Sequence, residues 1–493
     1  MDKSPRVTTW KTLAAGGALL ALLAGAAPAP VAAQGFSLMS PEQEQKIGDE
    51  EHPKVLAEYG GAYDDPRISG YVAEVAGRIA HVSDTPNAKF RVTVLNSPVV
   101  NAFALPGGYV YFTRGLLALA NNEAELAGVI GHEIGHVTAR HTAGRYSRGV
   151  MAQLGVAALD LLFQNSMASQ LAQAGGALYL QSYSRDQEYQ ADLIGIKLLT
   201  RAGYAPQAQA HFLASLGSYA ALENRIAGKE GAERRVDFMA SHPRTADRVE
   251  RAIKEAGVGE GEPIYRRDIF LDHIDGMVYG DDPSQGFVRG RTFSHPGLRI
   301  TFTVPEGFRL NNGTDAVTAQ GPNGAGIQFD NETDRKALAA ATSAADYLTR
   351  IWAAKAQLQN VQGITINGLD AATATTRINT DGGQADARLV AIRVSPEQIF
   401  RFTMISAPAQ ARQLAEPFRQ TAMSFRRLTT QEAAALKPLR IKVVKAVAGD
   451  TAEKFAARMA MADFKLDWFR VLNAIGPNDV IKPDQRVKLV VAD

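Results

Sequence analysis

The spacing of apolar residues changes along the chain and divides it into three stretches. From residue 40 to about 262, isoleucine, valine and leucine recur mainly at helical spacing, with two alternating runs at 90–95 and 109–113 that predict strands. From 286 to 428, short alternating runs separated by turns predict an antiparallel sheet accompanied by two helices. The remaining stretch has the order strand, helix, helix, strand. This pattern predicts a multidomain α+β protein whose first domain is mainly helical with a small sheet.

The N-terminus has the pattern of a signal peptide. Basic residues precede an Ala/Leu-rich apolar run at 13–27, and small residues at 31 and 33 precede Gln34, as at a signal-peptidase site. The alternative is an uncleaved membrane anchor, but the apolar run is short and prolines interrupt its end. We therefore expect residues 1–33 to be removed and the mature chain to act outside the cytoplasm. Because no later run reaches about 18 uninterrupted apolar residues, we expect no further membrane span.

Composition excludes several classes of function. The chain has 53 basic and 51 acidic residues, so no large positive field is available to bind nucleic acid. It contains no cysteine, which excludes disulfides, thiolate metal sites and cysteine nucleophiles. Any metal must therefore be held by histidines and carboxylates.

The motif that indicates metal-dependent catalysis is His132-Glu133-Ile134-Gly135-His136. Residues four apart lie on one face of a helix, so the imidazoles of His132 and His136 can bind one metal ion. Glu133 can then take a proton from a water on that metal and pass it to a leaving amine. Asparagines and acidic residues at 121–125 predict the start of this helix, which we expect to run through His141. The alternative is a pair of surface histidines on an ordinary helix.

A third metal ligand is expected on a second helix that begins downstream, in the segment 184–192. Glu188 and Asp192 are four residues apart in this segment and face the same way. We assign Glu188 to the metal. We assign Asp192 to the second N–H of a ligand histidine, since such histidines usually donate that N–H to a neighbouring acceptor. The alternative is a pair of solvated acidic residues.

Three motifs in combination resemble the minigluzincin zinc metallopeptidases: Asn101-Ala102-Phe103-Ala104-Leu105-Pro106-Gly107-Gly108, the histidine motif, and Arg185, Glu188, Ala191 and Asp192. The resemblance covers roughly residues 40 to 255. It implies one Zn²⁺ per chain, with Glu133 as the catalytic residue and the metal held by His132, His136 and Glu188. It also implies an edge strand that pairs with the backbone of a polypeptide substrate, formed by Asn101, Ala102, Phe103 and Ala104.

The same resemblance suggests a cellular location. Because no membrane helices flank the histidine motif, the chain is similar to the soluble periplasmic branch of the family. It departs from that branch in having no obvious helical-repeat array after the peptidase domain. We expect a periplasmic protein of the bacterial cell envelope.

A second histidine segment matches the family, with Arg248 just beyond it: Ser241-His242-Pro243-Arg244. His242 is a candidate for donating to the oxyanion of the tetrahedral intermediate, or for occupying the open zinc position in a resting form. The alternative is a structural histidine at a helix start. Arg248 is a candidate for ordering the site or the substrate.

The C-terminal residues resemble the LysM module, at Gly449-Asp450-Thr451, 469–473 and 481–485. The resemblance makes peptidoglycan a candidate partner, although the first strand departs from the LysM pattern. The predicted domain order is then a signal peptide at 1–33, a zinc metallopeptidase domain at 34–262, a linker at 263–285, an α+β domain of unassigned role at 286–428 and a LysM-like module at 429–493.

These features predict a zinc-dependent endopeptidase that cleaves misfolded or unassembled cell-envelope proteins. The alternative is a zinc-binding periplasmic chaperone, or a peptidoglycan-binding adaptor, with a latent protease site. The presence of Glu133 favours an active enzyme, since an inactive site does not require a general base. The apolar portion at 150–163 predicts a pair of core helices, with a mobile lid over the site as the alternative.

Overall fold

The computed structural model describes residues 40–147, 182–226, 242, 250, 254, 262–380 and 383–493. Three predictions fall outside these residues: the signal peptide at 1–33, the apolar portion at 150–163, and Arg248. The described residues combine helices with several sheets, as expected of an α+β chain. Among them, no helix is long and apolar enough to cross a membrane.

Two helices open the fold, α1 (Pro41–Glu58) and α2 (Pro66–His81), and each begins with a proline after a capping residue. Ser40 and Gln43 form a capping box at the predicted start of α1. Asp65 accepts hydrogen bonds from two backbone N–H groups at the start of α2. An apolar stripe on α2 then packs into the main core beside the helix that carries the histidine motif.

A three-stranded sheet follows, formed by β1 (Arg91–Leu95), β2 (Ala102–Leu105) and β3 (Tyr109–Thr113). The order is β1-β3-β2, with β1 parallel and β2 antiparallel to β3, so β2 lies at an edge of the sheet. Successive side chains on β2 point to opposite faces. Phe103 packs with α1, whereas Ala102 and Ala104 join the main core.

Four helices come next in the chain, and the second of them carries the histidine motif: α3 (Arg114–Leu119), α4 (Glu123–Thr138), α5 (Arg185–Arg201) and α6 (Ala208–Ile226). Helices α4 and α5 cross closely at Gly195. A Cβ added to this residue would lie 2.9 Å from the backbone nitrogen of His132. The crossing therefore requires glycine at this point. It brings the first turns of α5 beside the last turns of α4.

Helix α4 ends sooner than the sequence predicts. It stops at Thr138 rather than running through His141, because Arg140 adopts a left-handed conformation with φ 59°. The backbone returns to helix at residues 141–147. The break turns the His141 side chain back toward the end of α4.

Residues 263–285, predicted as a linker, hold a helix and a strand, α7 (Arg267–Ile274) and β4 (Val278–Tyr279). The next strands are β5 (Phe287–Arg289), β6 (Thr292–His295), β7 (Ile300–Thr303), β8 (Arg309–Asn312), β9 (Val317–Gln320), β10 (Gly326–Asn331), β11 (Gln359–Ile366), β12 (Leu369–Thr380), β13 (Gly383–Ser395), β14 (Gln398–Ser406) and β15 (Arg426–Arg427). They form a seven-stranded sheet of order β11-β12-β13-β14-β10-β9-β8 and a four-stranded sheet of order β15-β7-β6-β5. All their pairings are antiparallel, as predicted. The accompanying helices are α8 (Arg335–Ala340), α9 (Ala344–Asp346), α10 (Ala411–Ser424) and α11 (Thr430–Ala435).

The C-terminal segment has the predicted strand–helix–helix–strand order: β16 (Leu439–Lys445), α12 (Ala452–Ala457), α13 (Lys465–Asn473) and β17 (Arg486–Ala492). Strand β16 pairs with β17 on one side and with β4 on the other, so the segment shares a sheet with residues 278–279. Its apolar residues belong to the same core as α2, α4 and α6.

Candidate metal centre

Helix α4 presents two histidines to one point. Its start is fixed by Asn122, whose side chain accepts a hydrogen bond from the N–H of Glu125. Every residue of this helix from Glu123 to His136 is buried. The Nε2 atoms of His132 and His136 lie 3.1 Å apart. Two imidazoles that converge in this way can bind a single ion.

Helix α5 brings a carboxylate to the same point. Ser184 caps the helix, and Glu188 lies in its first turn with no solvent exposure. One carboxylate oxygen of Glu188 is 3.3 Å from Nε2 of His136, and the other is 3.7 Å from Nε2 of His132. The structure thus brings together the three residues that the sequence assigned to a metal.

His242 is the fourth member of the cluster. Its Nδ1 lies 2.9 Å from Oε1 of Glu188 and 3.1 Å from Nε2 of His132. One donor atom from each of the four residues lies within 4.8 Å of the others, and all four residues are buried. Three imidazoles and one carboxylate are donors that zinc prefers, so the residues fit a zinc ion.

Glu133 lies beside these donors and is fully buried. Its Oε1 is 3.4 Å from Nε2 of His242. Neither of its oxygens accepts a hydrogen bond from the described residues. Burying a carboxylate without hydrogen bonds costs free energy. The arrangement suits a group that exchanges a proton with a molecule entering the site.

The electrostatics favour the protonation states that bind a metal. Burial lowers the pKa of His136 well below its usual value, so its imidazole is neutral. Burial acts to raise the pKa of Glu188, but the attraction of His242 and the hydrogen bond that His242 donates outweigh it and hold that pKa well below its usual value. A neutral imidazole and an ionised carboxylate are the forms that coordinate metals. Burial also raises the pKa of Glu133 to about 7, near the value that suits a general base at neutral pH.

Side chains behind the cluster fix the two motif histidines. Oδ1 of Asp192 lies 3.0 Å from Nδ1 of His132, as the sequence predicted, and Asp192 also accepts a hydrogen bond of 2.8 Å from Gln209 on α6. Nδ1 of His136 lies 3.0 Å from Nδ1 of His141. The ring of Tyr183 stacks on His136 with 3.7 Å between centroids.

Four residues of the site were missed by the sequence analysis: Gln209, His141, Tyr183 and Arg145. The guanidinium of Arg145 lies 4.0 Å from the centroid of the Tyr183 ring, and its Nη2 is 3.4 Å from the carbonyl oxygen of Ala104. His141 was the one with a sequence signal, since it continues the polar side of α4. The others approach through tertiary packing, for which no motif exists.

The predicted substrate-binding strand lies next to this site. Ala102, Phe103 and Ala104 belong to the edge strand β2, and Asn101 immediately precedes it. All four residues are buried, and the Asn101 side chain donates to the Tyr59 hydroxyl at 3.3 Å. An edge strand is the geometry that backbone pairing requires, but pairing also requires that its outer edge become accessible. The substrate-binding role stays a prediction.

Comparison with known proteins agrees with this geometry. Residues 66–256 match the family model described as Peptidase family M48. The mitochondrial metalloendopeptidase OMA1 of Arabidopsis thaliana is 34% identical over 188 residues, which are 38% of this chain and 36% of that protein. The OMA1 of Schizosaccharomyces pombe is 30% identical over 227 residues, 45% of this chain and 63% of that protein. A beta-barrel assembly-enhancing protease of Yersinia pestis is 29% identical over 258 residues, 50% of this chain and 51% of that protein.

These similarities concern only part of each protein, since the chain spans between about a third and under two thirds of the length of these relatives. The region that matches the family model includes the histidine motif, Glu188 and His242. Metallopeptidases of this family use zinc, and the buried cluster is compatible with one such ion. The chain therefore contains, between residues 66 and 256, a zinc metallopeptidase domain of Peptidase family M48.

Proposed function

We propose that the whole protein is a zinc-dependent endopeptidase in which His132, His136 and Glu188 hold the metal. The observation that carries this proposal is the position of Glu133. It is a fully buried carboxylate, its Oε1 lies 3.4 Å from His242, and it accepts no hydrogen bond from the described residues. A structural carboxylate at such depth is expected to be paired by hydrogen bonds. A general base is expected to keep its oxygens available for a proton.

Zinc, when bound, supplies a Lewis acid that makes a water acidic and polarises the scissile carbonyl. The chain's own contribution is the handling of the proton. Glu133, with a pKa raised by burial to about 7, accepts a proton at a carboxylate oxygen and later delivers it to the leaving amine. Asp192 holds the imidazole of His132 in the orientation that faces the metal.

His242 has two roles open to it, and the described geometry favours the resting one. Its Nδ1 lies within 3.1 Å of both Glu188 and His132, which is the position of a fourth donor. A catalytic zinc needs one open coordination position. We infer that, with zinc bound, His242 would be placed to fill this position at rest and would leave it when substrate binds. Once displaced, its imidazole can donate to the oxyanion. Arg248, which lies six residues further on, is proposed to order the site or the substrate.

Extended polypeptide is the proposed substrate, and it would pair with β2 at Asn101 to Ala104. By analogy with the relatives named beta-barrel assembly-enhancing protease, we propose misfolded or unassembled envelope proteins as the natural substrates and the periplasm as the location. Export rests on the signal pattern at 1–33. The domain boundaries at 34–262, 286–428 and 429–493 remain part of this proposal, as does binding of peptidoglycan by a LysM-like module.

A latent protease site with a chaperone role is the second candidate function. The four-donor arrangement that includes His242 favours it, because a zinc with four protein ligands has no open position for water. Metal analysis and proteolysis together separate the two candidates. We expect one zinc per purified chain and casein cleavage that stops when a chelator removes the metal. Glu188→Ala should lose both the zinc and the cleavage. One zinc per chain without any cleavage would favour the latent site, and a Glu188→Ala variant that keeps its zinc would contradict the ligand assignment.

A further inference from the structure

A cavity of about 1490 Å³ lies between the peptidase domain and the C-terminal segment. One wall is formed by α6 and the residues that start α4, Asn121 and Asn122. The other wall is formed by α13 and the loop at 474–485 that follows it. None of the four donor residues of the metal centre lines this cavity, which we call the interdomain cleft.

The two walls are joined by buried polar contacts. Lys488 of β17 has no solvent exposure, and its ammonium donates to the carbonyls of Ala118 at 2.8 Å and Ala120 at 2.6 Å, at the end of α3. Arg267 donates to the carbonyls of Asn121 and Arg486, one on each side. A buried ammonium without such acceptors would be very costly, so the walls are held at a defined distance. The cleft is therefore preformed.

The acidic residues that line the cleft form hydrogen bonds or ion pairs with other residues of the protein. Glu125 accepts from the backbone N–H of Asn121 at 2.8 Å, Asp479 accepts from the N–H of Gly476 at 2.7 Å, and Asp467 pairs with Arg225 at 2.5 Å. Their negative charges are thus partly neutralised by fixed donors.

Two of the four cationic residues that line the cleft, Lys482 and Arg470, have fewer contacts than Arg225 and Arg267. Lys482 is exposed and forms no ion pair with any described residue. Nε of Arg470 is buried without a hydrogen-bond acceptor among the described residues, and its Nη2 lies 3.4 Å from Glu453. The cleft therefore has positive charge available for an acidic ligand.

Size and lining indicate the class of ligand. Small-molecule pockets usually occupy about 300–1,000 Å³, so this cleft is larger than a small ligand needs. Asn121 is 2% exposed, and its Oδ1 has no hydrogen-bond donor among the described residues, so it can accept from a peptide N–H. Val480 is 82% exposed and offers an apolar contact. The described lining residues include no Phe, Tyr or Trp, and their one aromatic ring is the imidazole of His211, so the cleft offers little surface on which a sugar or base would stack.

We propose that the interdomain cleft is an exosite that binds an extended, acidic segment of the polypeptide substrate. The inference rests on the proposed peptidase function. Along α4, Asn122 and His132 are ten residues apart, which is about 15 Å at the rise of an α-helix. Because α4 is buried between these residues, a substrate chain has to pass around it, and at least about five extended residues must separate the segments that occupy the two sites. Carboxylates of the substrate then meet Lys482 and Arg470.

Fluorescence anisotropy with labelled, dephosphorylated β-casein tests this inference. The binding partner is the full chain carrying Glu133→Gln, so binding is measured in the absence of cleavage. Arg470→Glu combined with Lys482→Glu should weaken binding about tenfold. The matched control reverses two exposed charges outside the cleft, Arg412→Glu with Lys437→Glu, and should change binding less than twofold.

The single variant Lys482→Glu tests whether weaker binding could come from misfolding. A folding defect is not expected, since that side chain is exposed and makes no ion pair with the described residues. It should weaken binding about threefold without changing the melting temperature. Equal affinities for the cleft and control variants would overturn the exosite. Absence of proteolysis in the unmutated protein would overturn the proposed function instead, and the anisotropy result would still decide whether the cleft binds polypeptide.

Discussion

Oδ1 of Asp192 lies 3.0 Å from Nδ1 of His132. An ionised carboxylate can only accept a hydrogen bond, so Nδ1 of His132 carries the proton and the lone pair of Nε2 points into the donor cluster. His136 reaches the same state through a relay. Oε1 of Gln190 accepts from Nε2 of His141, whose Nδ1 then accepts from Nδ1 of His136. Both motif histidines are thereby set in the tautomer that binds metal through Nε2.

Replacing Asp192 should therefore weaken metal binding. Asp192→Ala removes the acceptor for His132, and loss of such a partner typically costs about 10–100-fold in metal affinity. Competition with a chromophoric chelator measures the zinc affinity. Asp186→Ala is the control, because Asp186 is an exposed acidic residue in the first turn of the same helix. Equal zinc affinities for the two variants would show that Asp192 does not support His132.

The crossing of α4 and α5 should tolerate no side chain at Gly195. A Cβ there would lie 2.9 Å from the backbone nitrogen of His132, so Gly195→Ala must push the helices apart. We expect a loss of about 1–3 kcal/mol in the free energy of unfolding, measured by urea denaturation. Gly77→Ala on α2 is the control, since a Cβ at Gly77 has no atom within 4 Å, and it should be neutral or stabilising by under about 1 kcal/mol. Similar losses for both variants would contradict the close crossing.

Contacts between residues close in sequence were predictable in this centre, whereas contacts between residues far apart in sequence were not. The motif histidines and the pair Glu188 and Asp192 could be found because helical spacing is local, and a spacing of four fixes which residues share a face. Gln209 could not be found in this way, because its contact with Asp192 depends on how α6 packs on α5. His141 was expected inside α4, and the left-handed backbone of Arg140 has no sequence signal strong enough to predict the break.

The same limit applies to the fold. The alternating runs predicted the strands of the antiparallel sheets, since a period of two is a local property. The partnership of β4 with β16 joins residues 278–279 to residues 439–440, and nothing in either short run specifies the other. For the same reason, residues 263–285 were predicted as a linker although Phe270 and Leu271 of α7 are fully buried.

A buried network at the start of α4 should make stability depend on alkaline pH. The hydroxyl of Tyr204 donates to Glu123 at 2.6 Å, and burial together with this hydrogen bond raises the pKa of Tyr204 to about 12. The unfolded chain loses this proton near pH 10, the folded chain only near pH 12. The stability that the neutral phenol contributes is therefore complete below about pH 10 and is lost as the pH rises to about 12.

Unfolding experiments across this pH range test the network. Tyr204→Phe should be less stable than the unmutated protein at pH 8 and should lose less further stability between pH 10 and 12. Tyr265→Phe, at a tyrosine that is 37% exposed, is the control and should keep the slope of the unmutated protein. An unchanged slope in Tyr204→Phe would rule out this network as the cause.

The buried ammonium of Lys488 should stabilise the peptidase domain and the C-terminal segment together. Lys488→Met keeps most of the side-chain volume but leaves the carbonyls of Ala118 and Ala120 without their donor. We expect a loss of about 1–3 kcal/mol in the free energy of unfolding, in a single transition, because buried carbonyls are left without a hydrogen-bond donor. The control Lys445→Met removes an exposed ion pair with Asp484 and should cost under about 1 kcal/mol. Two separate transitions in the unmutated protein would contradict this coupling.

Casein cleavage by the unmutated protein and by Glu133→Gln, both loaded with zinc, tests directly whether Glu133 is the general base. The substitution keeps the shape of the side chain but removes its ability to accept the proton. We expect one zinc in each protein and a cleavage rate at least about 100-fold lower in the variant, as expected for removal of a general base. Equal cleavage by the two zinc-loaded proteins would contradict the assignment of Glu133 as the base on which the proposed peptidase mechanism depends.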